Sequence, residues 1–297
     1  LLGQLVSSFL RNDARPGLAT AAVLTGGIFN VFGDWFCVFV LDLGVFGAGL
    51  ATATGAVISL AVMCSHFFSR KCTLHLVPVQ KLFKKLGEIA VTGFSSFFVD
   101  VAMGILTVLF NRQIMKYLDS DALAVYATVI NISTFVQCCT YSVGQAAQPI
   151  LSTNYGANNA ARIRQTLHLA LGTSMVFAAF WTGLSELFPQ LYIHIFMRPS
   201  AEILAIAPAI IRRYSVSFVL LPVNIFSTYY FQSILRPKDS FIVSIARGLL
   251  VSGLLIFALP ALFAPEAIWW AMPLTELVTS VYAAYAMRKS LTGLCAN

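Results

Sequence analysis

An all-α, polytopic membrane bundle is the fold class the sequence predicts, and three observations predict it. Eight apolar stretches each meet or exceed the roughly 20 residues that a helix needs to cross ~30 Å of hydrocarbon. Hydrophobic residues make up 58% of the chain and charged residues only 10%, against about 25% charged in a soluble globular domain. Thirteen of the nineteen Lys and Arg residues fall in every second gap between the stretches, as expected of loops that stay in the cytoplasm.

The predicted spans lie near residues 17–41, 45–69, 89–111, 122–151, 166–188, 203–235, 240–263 and 267–287. Ahead of the first, LLGQLVSSFL is apolar but too short to cross. It also lacks the basic start and cleavage site of a signal peptide, so the expectation is a fragment that begins near the cytoplasmic end of an earlier helix. In the second span, Gly47, Ala51 and Gly55 form a ridge of small residues suited to close helix packing. The gap before the third span, RKCTLHLVPVQKLFKKLGE, is the longest and most basic. Within it Leu82, Phe83 and Leu86 share a helical face opposite Lys81, Lys84 and Lys85, consistent with a surface-lying helix or a solvated connector. Pro149, Pro222 and Pro273 interrupt later spans and mark candidate hinges.

Charge orients the spans. The rich gaps include Arg70, Lys71, Lys81, Lys84 and Lys85, whereas the alternate gaps hold only Arg112, Lys116 and Arg198, and Arg212, Arg213 and Arg247 lie within spans. The loops at 11–16, 70–88, 152–165 and 236–239 and the C-terminus are therefore expected in the cytoplasm of a multi-pass protein of the cell membrane. The net charge of +7 is explained by this orientation, and no basic face with interleaved aromatics invites nucleic acid. The six cysteines have no CxxC spacing and read as small hydrophobes. The four histidines are scattered, with no i, i+4 pair to hold a metal.

Polar residues within hydrocarbon are costly and point into protein or a wet cavity. Ser96, Asp100 and Thr107 form a stripe at helical spacing in the third span. Thr134, Gln137, Tyr141 and Gln145 do so in the fourth, and Arg213, Ser217, Asn224 and Thr228 in the sixth. Three stripes suggest a shared water-accessible cavity; the alternative is hydrogen bonding in a dry bundle, worth only about 0.6 kcal/mol per contact. Asp100 lies near the midplane and is the first candidate to exchange a proton or an inorganic cation. Glu276, midway along the last span, and Asp34, on one face with Asn30, are secondary candidates.

A weak duplication relates Ser8–Arg11 and Pro16 to Ser233–Arg236 and Pro237, each followed by two spans of the same orientation. The halves would then be related by an axis along the membrane normal.

The segment GQAAQPILSTNYGANNAARIRQ (Gly144 to Gln165) resembles the corresponding helix and loop of the multidrug and toxic compound extrusion (MATE) family. FLRNDARP, GVFGAGLAT, SSFFVDVAMGILTVLFN, NIFSTYYFQSIL and AIWWAMPLTEL agree with it in order and spacing. The resemblance implies twelve helices in two six-helix lobes around a central cleft, with export of amphipathic, cationic drugs driven by inward flow of Na⁺ or H⁺. On that pattern residues 1–69 end a partial first lobe, with the first three to four helices missing. Residues 70–87 link the lobes, 88–289 form a complete second lobe, and 290–297 are a cytoplasmic tail. Asp100 falls where one branch of the family has an acidic coupling residue. The partner acid of that branch is missing, and Asn224 is the nearest polar candidate. A second branch relies on an acid in the first helix, which this chain lacks. The resemblance implies a monomeric transporter with small amphipathic substrates and no cofactor beyond the coupling ion. Competing readings are a flippase for lipid-linked sugars, which needs a strongly cationic cavity, and a non-transporting membrane scaffold. An enzyme is disfavoured, because no HExxH, GxSxG or comparable constellation occurs.

Overall fold

The computed structural model describes residues 2–70, 72–75, 78 and 81–295, with the side chains at 92, 95, 96, 99, 294 and 295 outside that description. The described chain is helical and divides into two compact units, Leu1–Gln80 and Lys81–Asn297.

In the first unit, α1 (Leu2–Asn12) precedes α2 (Pro16–Trp35), which continues as a π-helical turn over Phe36–Val40. Helix α3 (Gly44–Cys64) then closes with a 3₁₀ turn, Ser65–Phe68. Pro16 opens α2, where its fixed φ suits a helix start and its missing N–H is not needed. The small-residue ridge is the face that α3 buries, with Gly47, Ala51 and Gly55 all inside. A Cβ at Gly26 would stand 2.6 Å from the Gly55 carbonyl oxygen, and one at Gly55 2.6 Å from that of Gly26. Only glycine lets α2 and α3 approach so closely.

The second unit holds α4 (Leu82–Tyr117), α5 (Ser120–Gly156), α6 (Ala160–Leu187), the short α7 (Pro189–Phe196), α8 (Ala201–Ser215) and α9 (Ser217–Ser233). It continues with α10 (Pro237–Ile245), a π-helical turn at Ala246–Leu250, α11 (Val251–Leu262), a 3₁₀ turn at Pro265–Trp270 and α12 (Ala271–Cys295). Helix α9 is the hub, packed against α5, α6, α10 and α12. Two apolar clusters fill the unit. One gathers Phe110, Tyr126, Tyr214, Phe218 and Trp269, the other Leu151, Ile163, Tyr230, Phe231 and Ala283. Helices α5, α9 and α12 pass from one cluster to the other, and Gln137, Asn224 and Glu276 lie buried at the changeover.

Six helical runs, Pro16–Val40, Gly44–Phe68, Ser120–Gly156, Ala160–Leu187, Ala201–Ser233 and Pro237–Leu262, are long and apolar enough to cross a bilayer. Helices α4 and α12 carry the other two predicted spans, each with a midspan acid. The chain is a multi-pass membrane protein of all-α fold.

The structure departs from the sequence reading in three places. The basic segment at 82–87 is neither a separate surface helix nor a loose connector but the first turns of α4. Nothing between Leu82 and Tyr117 breaks a helix, since that stretch has no proline. The sixth predicted span is two helices, α8 and α9, meeting at Val216. Proline breaks little: Pro149 and Pro222 lie inside continuous helices, and Pro273 sits in the first turn of α12, where proline is tolerated.

Candidate functional site

At the changeover between the two apolar clusters lies a buried ionic group. Glu276 on α12 and Asn224 on α9 are both 0% exposed. The Arg247 Nε donates to Glu276 Oε1 at 2.7 Å, forming an ion pair within the protein. Asn224 Nδ2 donates to the other carboxylate oxygen at 2.6 Å, to the Glu276 carbonyl at 2.9 Å and to Thr279 Oγ1 at 2.7 Å. Two amide protons are thus spread over three acceptors, while Asn224 Oδ1 is buried with no partner among the described residues. Arg247 sits in the π-helical turn after α10, a local widening common at functional sites. Its neighbour Gly248 faces α4, where a Cβ would come within 2.8 Å of the Ala102 Cβ. The close approach of α4 therefore depends on glycine next to the arginine.

Asn224 and Arg247 also line a cavity of about 30 Å³, shared with Met103, Tyr141, Thr228 and Ser244. That volume suits a water or a bare cation. It is an order of magnitude below the roughly 300 Å³ at which drug-sized pockets begin.

Several of the predicted stripe residues meet here. Tyr141 OH donates to Gln137 Oε1 at 3.3 Å, and Gln137 Nε2 donates to Ser133 Oγ at 3.1 Å. The Tyr141 ring stands edge-on to Tyr229, with centroids 6.3 Å apart. Thr228 lines the cavity, and its hydroxyl returns to the Ile225 carbonyl at 2.7 Å. Asp100 is exposed on α4 and, with Arg247 and Glu276, lies within electrostatic range of Tyr141.

Other candidates go elsewhere. Thr107 and Thr134 bond back to carbonyls of their own helices, Met103 and Ile130, both at 2.9 Å. Gln145 is exposed, and Ser217 is buried with its hydroxyl unpartnered among the described residues. Arg213 pairs with Glu266 at 2.7 Å, with both side chains partly exposed. The side chain of Ser96 lies outside the described residues.

Sequence reasoning passed over Arg247. A lone arginine in an apolar span needs an anion, and the seventh and eighth spans offer one midspan acid, Glu276. Its helix also carries Thr279 and Ser280 one turn on, a short polar face that marks the buried side of α12.

The first unit contributes two polar groups of its own. Asn30 Nδ2 donates to Thr52 Oγ1 at 3.2 Å across α2 and α3, and one turn along α2 the Asp34 Oδ1 is buried with no partner among the described residues. At the other end of these helices, Asp13, His66 and Cys72 converge, which histidine spacing along the sequence could not anticipate. Hydrogen bonds from His66, and next from Thr73, hold the Asp13 carboxyl down at about 2.

Comparisons with known proteins agree with this architecture. The MatE family model matches residues 95–257. The multidrug export protein MepA of Staphylococcus saprophyticus is 22% identical over 293 residues, covering 97% of this chain and 64% of that protein. MepA of Staphylococcus aureus is 21% identical over 294 residues, with the same coverage. The chain thus spans about 64% of the length of these curated relatives. Among solved structures, a MATE crystal structure in the straight conformation superposes with a TM-score of 0.91 at 18% identity, covering 99% of this chain and 67% of that one. A MOP-superfamily transporter from Pyrococcus furiosus, described as having a binding pocket of reverse polarity, gives 0.86 at 18% identity, covering 94% and 64%. These structures share the fold of the chain, and the family is one of transporters rather than enzymes. With more than half its residues matched by the family model, the chain belongs to the MatE family, the multidrug and toxic compound extrusion transporters.

Proposed function

We propose that the transporter to which this chain contributes exports amphipathic, cationic small molecules in exchange for inward-moving Na⁺ or H⁺, with the basic gaps and the C-terminus in the cytoplasm. Family membership supports export. The observation that carries ion coupling is the buried Arg247–Glu276–Asn224 group beside a cavity of ion size. A carboxylate held by one arginine and one amide can trade the arginine for a proton or Na⁺, and either exchange frees a buried cation that must then move. In this reading Asp100, exposed on α4, receives the ion, and Tyr141 and Asn224 connect it to Glu276. Asp34, with its unpartnered oxygen near Asn30 and Thr52, offers a second set of oxygen ligands suited to a hard cation. The drug itself requires a larger cleft than the second unit's cavity, which we assign to coupling.

The flippase reading calls for free positive charge in the transport path. Arg213 is spent on Glu266, Arg247 on Glu276, and the Arg212 Nε on the Glu186 carbonyl at 2.9 Å. That pairing favours a cationic cargo over an anionic lipid.

Reconstituted vesicles with an imposed Na⁺ or pH gradient test the proposal on the full-length transporter. Asp100→Asn is expected to insert normally and to lose gradient-driven efflux; Glu276→Gln, which leaves Arg247 buried without its carboxylate, should lose efflux too and is compared only in preparations shown to be folded. Wild-type efflux from Asp100→Asn removes that residue from the mechanism, and wild-type efflux from both returns suspicion to Asp34. Flux that ignores the gradient in the wild type would point to a channel or scaffold.

A further inference from the structure

We propose that Asp13, His66 and Cys72 form a binding site for a borderline divalent transition-metal ion, with Zn²⁺ as the representative case. The three come from separate segments of the first unit: the turn after α1, the 3₁₀ turn that ends α3, and the turn just beyond it, where the Cys72 amide bonds the Ser69 carbonyl at 3.1 Å. Their ligand atoms all lie within 4.8 Å of one another. Ligands on a tetrahedral zinc stand roughly 3.5 Å apart, given bonds of about 2.0–2.3 Å. Side-chain adjustment of about an ångström therefore converts the cluster into three vertices of a tetrahedron.

The chemistry of the donors selects the ion. A thiolate and an imidazole favour zinc and its neighbours over Mg²⁺ and Ca²⁺, which take oxygen ligands. Carboxylate and thiolate together balance a divalent charge. His66 Nε2 meets Asp13 Oδ2 at 2.6 Å, with only 2% and 3% of the two side chains exposed. A metal would replace the proton these atoms share. Thr73 holds both carboxylate oxygens, its amide donating to Oδ2 at 3.2 Å and its hydroxyl to Oδ1 on the far side, the outer support that ligating carboxylates characteristically have. Cys72 is half-buried, with its sulfur 3.8 Å from the Leu74 carbonyl. The charge asymmetry puts this end of the unit in the reducing cytoplasm, where its thiol stays free. With three protein ligands, a fourth position is left for water or a further donor. An occupied site would tie the α1–α2 turn, the end of α3 and the start of the 70–88 segment together, independently of ion-coupled export.

The test uses the detergent-purified chain with Cys37, Cys64, Cys138, Cys139 and Cys295 replaced, stripped with a chelator and titrated with Co²⁺ alone. The expected result is a sulfur-to-cobalt charge-transfer band that Zn²⁺ bleaches. Cys72→Ser should abolish the band, and His66→Ala and Asp13→Asn should each weaken Co²⁺ binding by about tenfold or more. Cys72→Ser, a near-isosteric change at a half-buried position, serves as the folded control, checked by circular dichroism and gel filtration. Absence of the band with Cys72 present overturns the proposal. So does binding of unchanged affinity in folded Cys72→Ser, or in both His66→Ala and Asp13→Asn.

Discussion

A glutamate and an arginine buried together are weak contributors to net stability but sensitive ones to disturb. Desolvating both charges costs about as much as their attraction returns, whereas removing one partner strands the other and costs roughly 3–5 kcal/mol. Arg247→Met is accordingly expected to lower the stability of the detergent-solubilised chain by that order. The double variant Arg247→Met/Glu276→Leu should recover most of the loss. Thermal unfolding of the two variants side by side measures this, and a double variant as unstable as the single one would mean the pair is not the relevant contact. At this scale the sequence was partly legible. Helical spacing brought Gln137, Tyr141, Asn224 and Thr228 into one neighbourhood, because those residues share faces of helices that do pack together. It did not join Asn224 to Glu276, 52 positions away, because a pairing between helices leaves no periodic trace within either of them.

Three helix-to-helix turns share one construction. Arg15 N donates to the Leu10 carbonyl at 2.8 Å, Asn159 N to that of Asn154 at 2.9 Å, and Arg236 N to that of Phe231 at 2.8 Å. In each, the preceding residue is left-handed: Ala14 at φ 56°, Asn158 at 53° and Leu235 at 55°. This is the Schellman ending, which normally uses glycine or asparagine. The turns at Ala14–Arg15–Pro16 and Leu235–Arg236–Pro237 correspond in geometry as well as sequence. In this geometry Arg15, rather than Arg11, occupies the place of Arg236, one helical turn from the register that letter matching suggests. A left-handed leucine costs about 1–2 kcal/mol relative to the ordinary helical conformation, and Leu235 is 70% exposed, so it gives little packing in return. Leu235→Gly is therefore expected to raise the apparent melting temperature in detergent by roughly 2–4 °C. An unchanged or lower value would show that the leucine side chain is needed at that turn.

Across the whole molecule, the features legible in sequence were those set by the bilayer as a solvent: the all-α polytopic class, the approximate limits of the six helical runs long and apolar enough to cross, and the glycine ridge of α3. Bilayer thickness fixes a minimum apolar length, so hydropathy recovers it. Helix ends outside the hydrocarbon follow other rules, which is why the run of α4 from Leu82 and the short α7 were not anticipated, and the division of the sixth span at Val216 falls inside an unbroken apolar run that hydropathy cannot split. At 36 residues and about 1.5 Å per residue, α4 measures some 54 Å and must project well beyond a ~30 Å core. Its first turns carry Lys84 and Lys85, both exposed. Lysines there are kept inside the cell by the same bias that sets membrane topology, so the α4 start should lie in the cytoplasm and the sparse gap containing Arg198 outside. In a cysteine-free background, Arg198→Cys should react with a membrane-impermeant maleimide in intact cells, whereas Lys84→Cys should react only after permeabilisation. Both positions are exposed, so burial cannot mimic protection by the membrane. Labelling of Lys84→Cys in sealed cells would invert the topology, and with it the side on which Asp13, His66 and Cys72 meet.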